Sequence, residues 1–250
     1  MLRIDDLEIR GYKIYQDTDK FCFGIDAVLL ANFILSEEKK DFYMMDLCTG
    51  NGIIPFITYA KRNVDVKIMG IDIDKEQINL ANKSIEINKK IDKKINSDIQ
   101  FLNGDINDMV SIDSYYNFKT KFDVVSCNPP YIKKGSGIEN ENSKLNYAKH
   151  EIYINFEKIC EITNFLLKSN KNFYIVHRSD RLSEIFRILK KNNLEPKKIQ
   201  FIYPNINKKS NLVLIKATKN AREGIIVKEP IIVFDENGEF TSKVLKIYGK

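Results

Sequence analysis

The stretch Asn128-Pro129-Pro130-Tyr131 combines residue types that could hold a planar amine. It follows the run Val-Val-Ser at 124–126, which predicts a buried strand, and the prolines must end that strand because proline cannot donate to a ladder. Asn128 is then expected at the carboxyl end of a strand, where open α/β sheets bind ligands. The Asn128 amide oxygen and the Pro129 carbonyl are two acceptors, and Tyr131 offers a ring for stacking. A strand that ends in a Pro-Pro turn with a capping Asn explains these four residues alone equally well.

A Gly-rich stretch at 46–52 follows another predicted strand. Gly50 and Gly52 permit a sharp turn and a close approach of the backbone to a ligand, and we expect Asp46, Cys48 and Asn51 to line the same site. A dinucleotide dehydrogenase would need the fingerprint G-x-G-x-x-G, whereas this loop reads Cys-x-Gly-x-Gly. The acid at position 46 is also poorly placed for a pyrophosphate and suits a positively charged amino or sulfonium group.

Acids follow the next two predicted strands as well. Asp72 lies about twenty residues beyond the Gly-rich loop, where a carboxylate can accept hydrogen bonds from ribose hydroxyls. Asp105 follows the third strand and could bind an adenine amino group, Ile106 could cover a ring face, and Ile73 is expected to line the same pocket. These positions and Asn128 would all lie at one edge of one sheet, which predicts a pocket for a nucleoside-containing cofactor.

The elements that must position these residues alternate regularly between strand and helix. Residue patterns predict helices at 53–61, 75–88, 155–167 and 181–191, and strands at 42–47, 66–71, 99–102, 122–126, 173–176, 199–203 and 212–217. This alternation indicates an α/β fold with a mostly parallel, twisted sheet of about seven strands and helices on both faces. The short loop 204–210 between the last two strands predicts an antiparallel strand at one edge.

Three regions are predicted along the chain. We expect an N-terminal extension at 1–40 that packs on a catalytic domain at 41–220, and a C-terminal extension of that domain at 221–250. The N-terminal extension should contain a strand at 12–15, a turn at 16–19, a buried helix at 27–35 and a solvated loop at 37–40. In the helix 75–88, apolar residues recur at three- and four-residue steps, and Asp74 is expected to cap its start.

The composition is that of a globular, soluble protein, with 43% hydrophobic and 30% charged residues among 250. No apolar run approaches the roughly 18 residues of a membrane span, and acids stand where a signal peptide needs a basic start, so we expect a cytoplasmic protein. The four cysteines form no C-x-x-C pair, and we expect them to be reduced and mostly buried, with no metal site. Neither His150 nor His177 is assigned to chemistry, and no obligate protein partner is expected.

One stretch of the chain is strongly basic. Between Arg187 and Arg222 there are ten Lys or Arg residues and one acid, a local charge of +9, so the rest of the chain carries −3 of the net +6. A basic region on a mildly acidic body suggests a polyanionic partner, and a Lys-rich solvated face accounts for it equally well. The candidate nucleic-acid contacts are Lys133, Lys134, Arg178, Lys197, Lys198, Lys208 and Lys209.

With these motifs the chain resembles the class I S-adenosylmethionine-dependent methyltransferases, in which 46–52 would be the first motif and 128–131 the amino-methylating motif. It is similar in particular to the tRNA1(Val) (adenine-37-N6)-methyltransferase family, through these motifs and the segments 23–31, 147–151, 176–178, 211–215 and 239–241. The resemblance extends over nearly all of the chain. Cys48 is a departure, because many methyltransferases have the first glycine of the motif there.

The resemblance implies a Rossmann-like class I fold, S-adenosyl-L-methionine as cofactor and tRNA as partner. The implied reaction is methyl transfer to the exocyclic N6 amine of adenine 37 in a valine tRNA. Asn128, Pro129, Pro130 and Tyr131 would carry the reaction, with Asn128 also beside the cofactor. Asp26 could help to close the pocket over the cofactor or could cap a helix.

Other functions remain open, because the motif reads a planar amine and not adenine itself. Similar motifs serve glutamine side chains of release factors, rRNA bases and DNA adenine. Release-factor enzymes carry a separate N-terminal helical domain, for which residues 1–40 are too short, and DNA adenine enzymes usually add a target-recognition domain. A non-catalytic nucleotide-sensing module is the alternative from another class, and the intact motif argues against it.

Overall fold

A mostly parallel sheet forms the centre of the computed structural model, which describes residues 1–19, 22–129 and 155–250. Its strands are β3 (Phe42–Leu47), β4 (Val66–Asp72), β5 (Ile99–Asn103), β6 (Phe122–Cys127), β7 (Leu167–Arg178), β8 (Leu194–Tyr203), β9 (Leu212–Lys219), β10 (Ile226–Val227) and β11 (Ile231–Ile232). The order is β10-β8-β9-β7-β6-β3-β4-β5, and β11 also pairs with β8. The predicted α/β fold is confirmed.

The antiparallel element is the β8–β9 hairpin. β9 runs antiparallel to both β7 and β8, while β10 and β11 pair in parallel with β8 at the edge. The predicted hairpin around 204–210 is therefore confirmed, although β9 is not at the edge, because β8 and the short strands β10 and β11 lie outside it. The two-residue strands β10 and β11 are too short to produce a period-2 pattern.

Helices cover both faces of the sheet, as the alternation predicted. They are α1 (Ile25–Glu37), α2 (Ile53–Lys61), α3 (Lys75–Asn88), α4 (Ile95–Asp98), α5 (Phe156–Leu166), α6 (Leu182–Lys191) and α7 (Ser242–Tyr248). One core lies under α1, α2, α3 and α7, and a second lies under α5 and α6. The side chain of Asp74 accepts hydrogen bonds from the backbone N–H groups of Glu76 and Gln77, which confirms the predicted cap of α3.

The N-terminal region differs from the prediction in two places. Strands β1 (Leu2–Asp6) and β2 (Lys13–Asp17) form a hairpin, so Gln16 and Asp17 continue a strand where a turn was expected. β1 was missed because it is mostly exposed, and two alternating apolar residues, Leu2 and Ile4, are too few for a clear period-2 pattern. The predicted solvated loop at 37–40 is wrong at Glu37, which ends α1 with a side chain only 5% exposed.

The strand registers bring the candidate residues to one edge. Leu47 is level with Ile71 and Cys127, and Asp72 is level with Asn103, so β3, β4, β5 and β6 end together. No helix in the described part of the chain is long and apolar enough to cross a membrane.

Candidate active site

The loop that follows β3 has a backbone shaped by left-handed residues. The φ values of Cys48, Gly50 and Gly52 are 56°, 56° and 84°. This left-handed region costs residues other than glycine about 1–2 kcal/mol. A Cβ on Gly52 would lie 2.5 Å from the ring of Phe101, so this position needs glycine on two grounds. Cys48 thus has a left-handed backbone, a conformation that favours glycine, the residue that many methyltransferases have there.

Asp72 connects the ends of β4 and β3. One carboxylate oxygen accepts a hydrogen bond from the Gly50 N–H at 2.8 Å, and the other accepts from the Asp74 N–H at 2.9 Å. Asn103 adds a link that the sequence did not suggest, since its Nδ2 donates to the carbonyl oxygens of Asp72 and Ile73. The structure thus places Asp72 beside the Gly-rich loop, as the spacing of the motifs predicted.

Asp46 is a buried carboxyl group between the loop and β6. Its Oδ2 accepts a hydrogen bond from Thr49 Oγ1 at 2.7 Å, and its Oδ1 accepts one from Ser126 Oγ. Burial, and then the charge of Asp72, raise the pKa of Asp46 to about 7, although the two hydroxyl donors oppose the shift. Asp46 therefore ties the Gly-rich loop to the strand that carries Asn128, and its expected contact with a cofactor stays a prediction.

The end of β5 presents the next candidate residues. The Asp105 side chain accepts a hydrogen bond from the Asn107 N–H at 2.8 Å and caps a 3-10 helix at Ile106–Val110. Ile106 is buried, whereas Ile73 is 44% exposed at the sheet edge. The predicted role of Asp105 toward an adenine amino group stays a prediction.

Strand β2 holds the Gly-rich loop from the side, a connection that the sequence did not suggest. Asn51 Nδ2 donates to the Tyr15 carbonyl at 3.0 Å, and Ser84 Oγ of α3 accepts from the Tyr15 N–H at 2.9 Å. Asn88, one turn further along α3, accepts from the Lys13 N–H and donates to the Lys13 carbonyl. The sequence signal for this contact was a pair of polar residues, Ser84 and Asn88, four positions apart on the buried face of α3.

Asn128 follows β6 and is half-buried. Its Nδ2 donates to Asp26 Oδ2 at 3.1 Å, although the two residues are 102 positions apart in the chain. Pro129 is buried beside it. Pro130, Tyr131, Lys133, Lys134 and His150 lie outside the described residues.

His177 and two of the four cysteines are buried. Burial, and then the charge of Arg181, lower the pKa of His177 to about 4, and its ring contacts Phe156 edge-on. Cys127 and Cys160 are buried, and Cys22 and Cys48 are partly exposed. Within residues 1–19, 22–129 and 155–250, no three His, Cys, Asp or Glu side chains gather as a metal site.

The structure divides the predicted basic surface into two groups. Lys208 and Lys209 are exposed in the loop after β8, and because β8 is parallel to β7 this loop lies at the same edge as Arg178. Arg178 pairs with Asp180 at 2.8 Å.

Lys197 and Lys198 belong to the other group, because they lie within β8 and are half-buried. Lys197 donates to the Arg222 carbonyl at 3.0 Å. The Glu37 carboxylate forms ion pairs with the ammonium groups of three lysines, at 2.5 Å from Lys198, 2.9 Å from Lys228 and 3.5 Å from Lys216. Burial alone would raise the pKa of Glu37, but the hydrogen bonds from Lys198 and Lys228 lower it to about 2.

Comparisons with known proteins assign the chain to one class. A family model described as a methyltransferase domain matches residues 38–224. The tRNA1(Val) (adenine(37)-N6)-methyltransferase of Cytophaga hutchinsonii is 22% identical over 179 residues, 69% of this chain and 67% of that protein. The release factor glutamine methyltransferase of Lactococcus lactis subsp. lactis is 30% identical over 177 residues, 67% of this chain and 59% of that protein.

A solved structure shows the same fold. A predicted O-methyltransferase of Agrobacterium tumefaciens has a TM-score of 0.68 at 18% identity, and the match covers 90% of this chain and 95% of that one. The chain is therefore a class I S-adenosylmethionine-dependent methyltransferase. It belongs to the methyltransferase-domain family whose model matches most of its length, and its cofactor is S-adenosyl-L-methionine.

The residues at the sheet edge fit this cofactor. Among the described residues, no atom lies within 4 Å of where a Cβ on Gly50 would be, so the loop backbone is open to a ligand. Asp72 offers carboxylate oxygens for ribose hydroxyls, and the exposed Ile73 offers an apolar surface for a ring. We expect Asp72, Ile73 and the backbone of Gly50 to hold the cofactor.

Proposed function

We propose that this enzyme methylates the exocyclic N6 amine of an adenine in RNA, and that the target is adenine 37 of a valine tRNA. The observation that carries the proposal is the position of Asn128. It follows β6, which pairs directly with β3, the strand that leads into the Gly-rich loop. The cofactor, when bound, supplies an electrophilic methyl group on a sulfonium.

The protein's part in the reaction is to orient the amine. An exocyclic adenine amine is a poor nucleophile because its lone pair is delocalised into the ring. Hydrogen bonds from its two protons to Asn128 Oδ1 and the Pro129 carbonyl favour a more tetrahedral nitrogen and fix its direction. Tyr131 stacks on the base, and the positively charged nitrogen formed by the attack passes its proton to water afterwards, so a strong general base is not required.

The RNA must present its base outside a stack. Sequence-specific proteins usually take bases from single-stranded loops, and enzymes that act on a base turn it into a pocket. Arg178, Lys208 and Lys209 line the same sheet edge as the pocket and would contact phosphates near the turned-out base. Lys133 and Lys134 follow the catalytic motif in sequence and would contact neighbouring phosphates. An RNA substrate of this kind also places the enzyme in the cytoplasm.

Two observations support the tRNA adenine. The sequence resembles the tRNA1(Val) enzymes beyond the shared motifs, and one such enzyme aligns over 69% of this chain. The second candidate substrate is a protein glutamine amide, which is favoured by the 30% identity to a release factor glutamine methyltransferase. Both substrates present a planar N–H2 group, so the local geometry of Asn128 serves either of them.

Methyl transfer from labelled cofactor separates the candidates. Purified enzyme is offered bulk tRNA, rRNA, DNA and protein in parallel, and the labelled product is digested and identified by mass spectrometry. The proposal predicts N6-methyladenosine in tRNA. A valine tRNA transcript with adenine 37 replaced by guanine is the matched control and should take up no label. Label in N5-methylglutamine, with none in tRNA, would contradict the proposal.

A further inference from the structure

We propose that Asp26 is a positioning residue that sets which way the Asn128 amide faces. The inference rests on the proposed function, in which the Asn128 oxygen accepts a proton of the target amine. It deepens that function, because it assigns the orientation of the accepting group to a residue outside the catalytic motif.

The geometry of the contact selects one orientation of the amide. Asp26 lies in the first turn of α1, is only 9% exposed, and its Oδ2 accepts from Asn128 Nδ2 at 3.1 Å. A carboxylate has no proton to donate, so the N–H2 branch of the amide must face α1 and the oxygen branch must point elsewhere. A flipped amide would bring two acceptors together, and a hydrogen bond to a charged group favours one arrangement by on the order of 10–100-fold.

The surroundings of Asp26 keep its carboxylate in place. A Cβ on Gly24 would lie 2.7 Å from Asp26 Oδ1, so a larger residue there would displace the carboxylate. Tyr248 of α7 packs against the core that contains α1, and burial, then the charge of Asp26, raise its pKa. The residues after Asp26 in α1 are buried apolar side chains, from Ala27 to Ala31.

An acid in the first turn of a helix is often explained by the helix dipole alone. An exposed carboxylate would interact with the dipole equally well, whereas burying a carboxylate is costly unless it makes hydrogen bonds. The hydrogen bond from Asn128 offsets part of the cost of burying the Asp26 carboxylate. Loss of Asp26 should then remove the bond that favours this orientation, so that a larger fraction of the molecules presents N–H2 to the incoming amine.

Two substitutions of similar size test this role. Asp26→Asn keeps an oxygen that can accept from Asn128 Nδ2, and Asp26→Leu removes it. We expect Asp26→Leu to lower kcat for bulk tRNA by on the order of 10–100-fold, and Asp26→Asn to stay within several-fold of wild type. KM for tRNA and the affinity for S-adenosylhomocysteine should change by less than about twofold in either variant. Equal losses in the two variants would show that the acceptor oxygen kept by Asp26→Asn does not matter, and would overturn the proposal.

A reversed pair tests the same point without an apolar substitution. Asn128→Asp sets two carboxylates against each other, while the double variant Asp26→Asn/Asn128→Asp restores one hydrogen bond in the opposite direction. We expect the double variant to be more active than Asn128→Asp alone, a coupling that appears only between interacting residues. Additive losses would overturn the proposal even if Asp26→Leu does not fold.

The outcome can be separated from that of the proposed function. If wild-type enzyme labels protein or rRNA and not tRNA, the substrate is wrong, and the Asp26 variants are compared on the fraction that is labelled. If no fraction is labelled, the side-chain N–H2 signal of Asn128 is followed by nuclear magnetic resonance with the cofactor product bound. We expect its hydrogen exchange to be slow in wild type and Asp26→Asn and fast in Asp26→Leu. Equally fast exchange in all three would overturn the proposal.

Discussion

The carboxylate of Asp72 accepts a hydrogen bond from the backbone N–H of Gly50 at 2.8 Å, which joins the end of β4 to the loop after β3. The same carboxylate is the group that we expect to receive the ribose hydroxyls of the cofactor. One side chain thus shapes the loop, and with the expected role in the pocket its loss should affect ligand affinity more than loss of an ordinary strand-end acid would.

Asp72→Ala should weaken the binding of S-adenosylmethionine and S-adenosylhomocysteine by on the order of 1–3 kcal/mol, because hydrogen bonds to a charged acceptor are lost. Isothermal calorimetry measures the change. Asp74→Ala is the matched control two residues away: it removes the cap of α3 and should cost about 1 kcal/mol of stability while cofactor affinity is kept. Unchanged affinity in folded Asp72→Ala would remove Asp72 from the site.

Asp46 should make stability depend on pH. The folded pKa is about 7 and the ordinary value is 3.8, so its contribution is fully present below about pH 4 and is lost as pH rises through about 7. Asp46→Asn has no such titration, and its stability relative to wild type should therefore rise over this range, by at most about 4 kcal/mol. Urea unfolding at a series of pH values measures the difference. A difference that stays constant from pH 4 to pH 8 would show that Asp46 is ionised throughout.

The basic surface can be tested with two matched pairs of lysines. Lys208→Ser/Lys209→Ser should weaken tRNA binding and flatten the plot of log affinity against log salt by roughly 1–2, because fewer condensed counterions are released. Lys197→Ser/Lys198→Ser removes the same charge from half-buried positions and should leave the slope nearly unchanged. Full-length tRNA is the appropriate probe, since a short stem-loop would not reach the whole surface. If both pairs flatten the slope equally, the whole basic stretch contacts RNA.

The contact between α3 and β2 should support both stability and cofactor binding. Asn88→Ala leaves the Lys13 N–H and carbonyl, which lie in a part-buried contact, without their partner, and we expect a loss of roughly 1–3 kcal/mol in the free energy of unfolding, with a weaker affinity for S-adenosylhomocysteine. Asn82→Ala, on the exposed side of the same helix, is the control and should change neither quantity. If Asn88→Ala is as stable as wild type but binds the cofactor more weakly, this contact positions the Gly-rich loop and does not stabilise the fold.

The fold was predictable where its signals are local. Strand runs, the spacing of Ile78, Ala81 and Ile85 in α3, and the cap at Asp74 all follow from the geometry of one element, and the structure has each of them. The order of the polar residues at strand ends was predictable for the same reason, because parallel strands end at one edge.

Contacts between distant segments were not predictable. Asn128 meets Asp26, and Asn51 meets Tyr15, through hydrogen bonds that depend on how whole elements pack and leave no periodic pattern in the sequence. Glu37 looked like a loop residue because Glu-Glu-Lys-Lys is polar, yet three lysines from β8, β9 and the segment after β10 surround it. Lys198 therefore acts in a half-buried ion cluster around Glu37, which composition alone could not distinguish from a surface charge.

The most direct test of the central claim is the rate of methyl transfer by Asn128→Ala at saturating cofactor. If the Asn128 oxygen orients the target amine, the rate with bulk tRNA should fall by roughly a hundredfold or more, as when other enzymes lose a preorganised polar contact. The affinity for tRNA, measured by filter binding in the same buffer, should hardly change. A near-normal rate, or a loss of rate matched by an equal loss of tRNA affinity, would contradict the role assigned to Asn128.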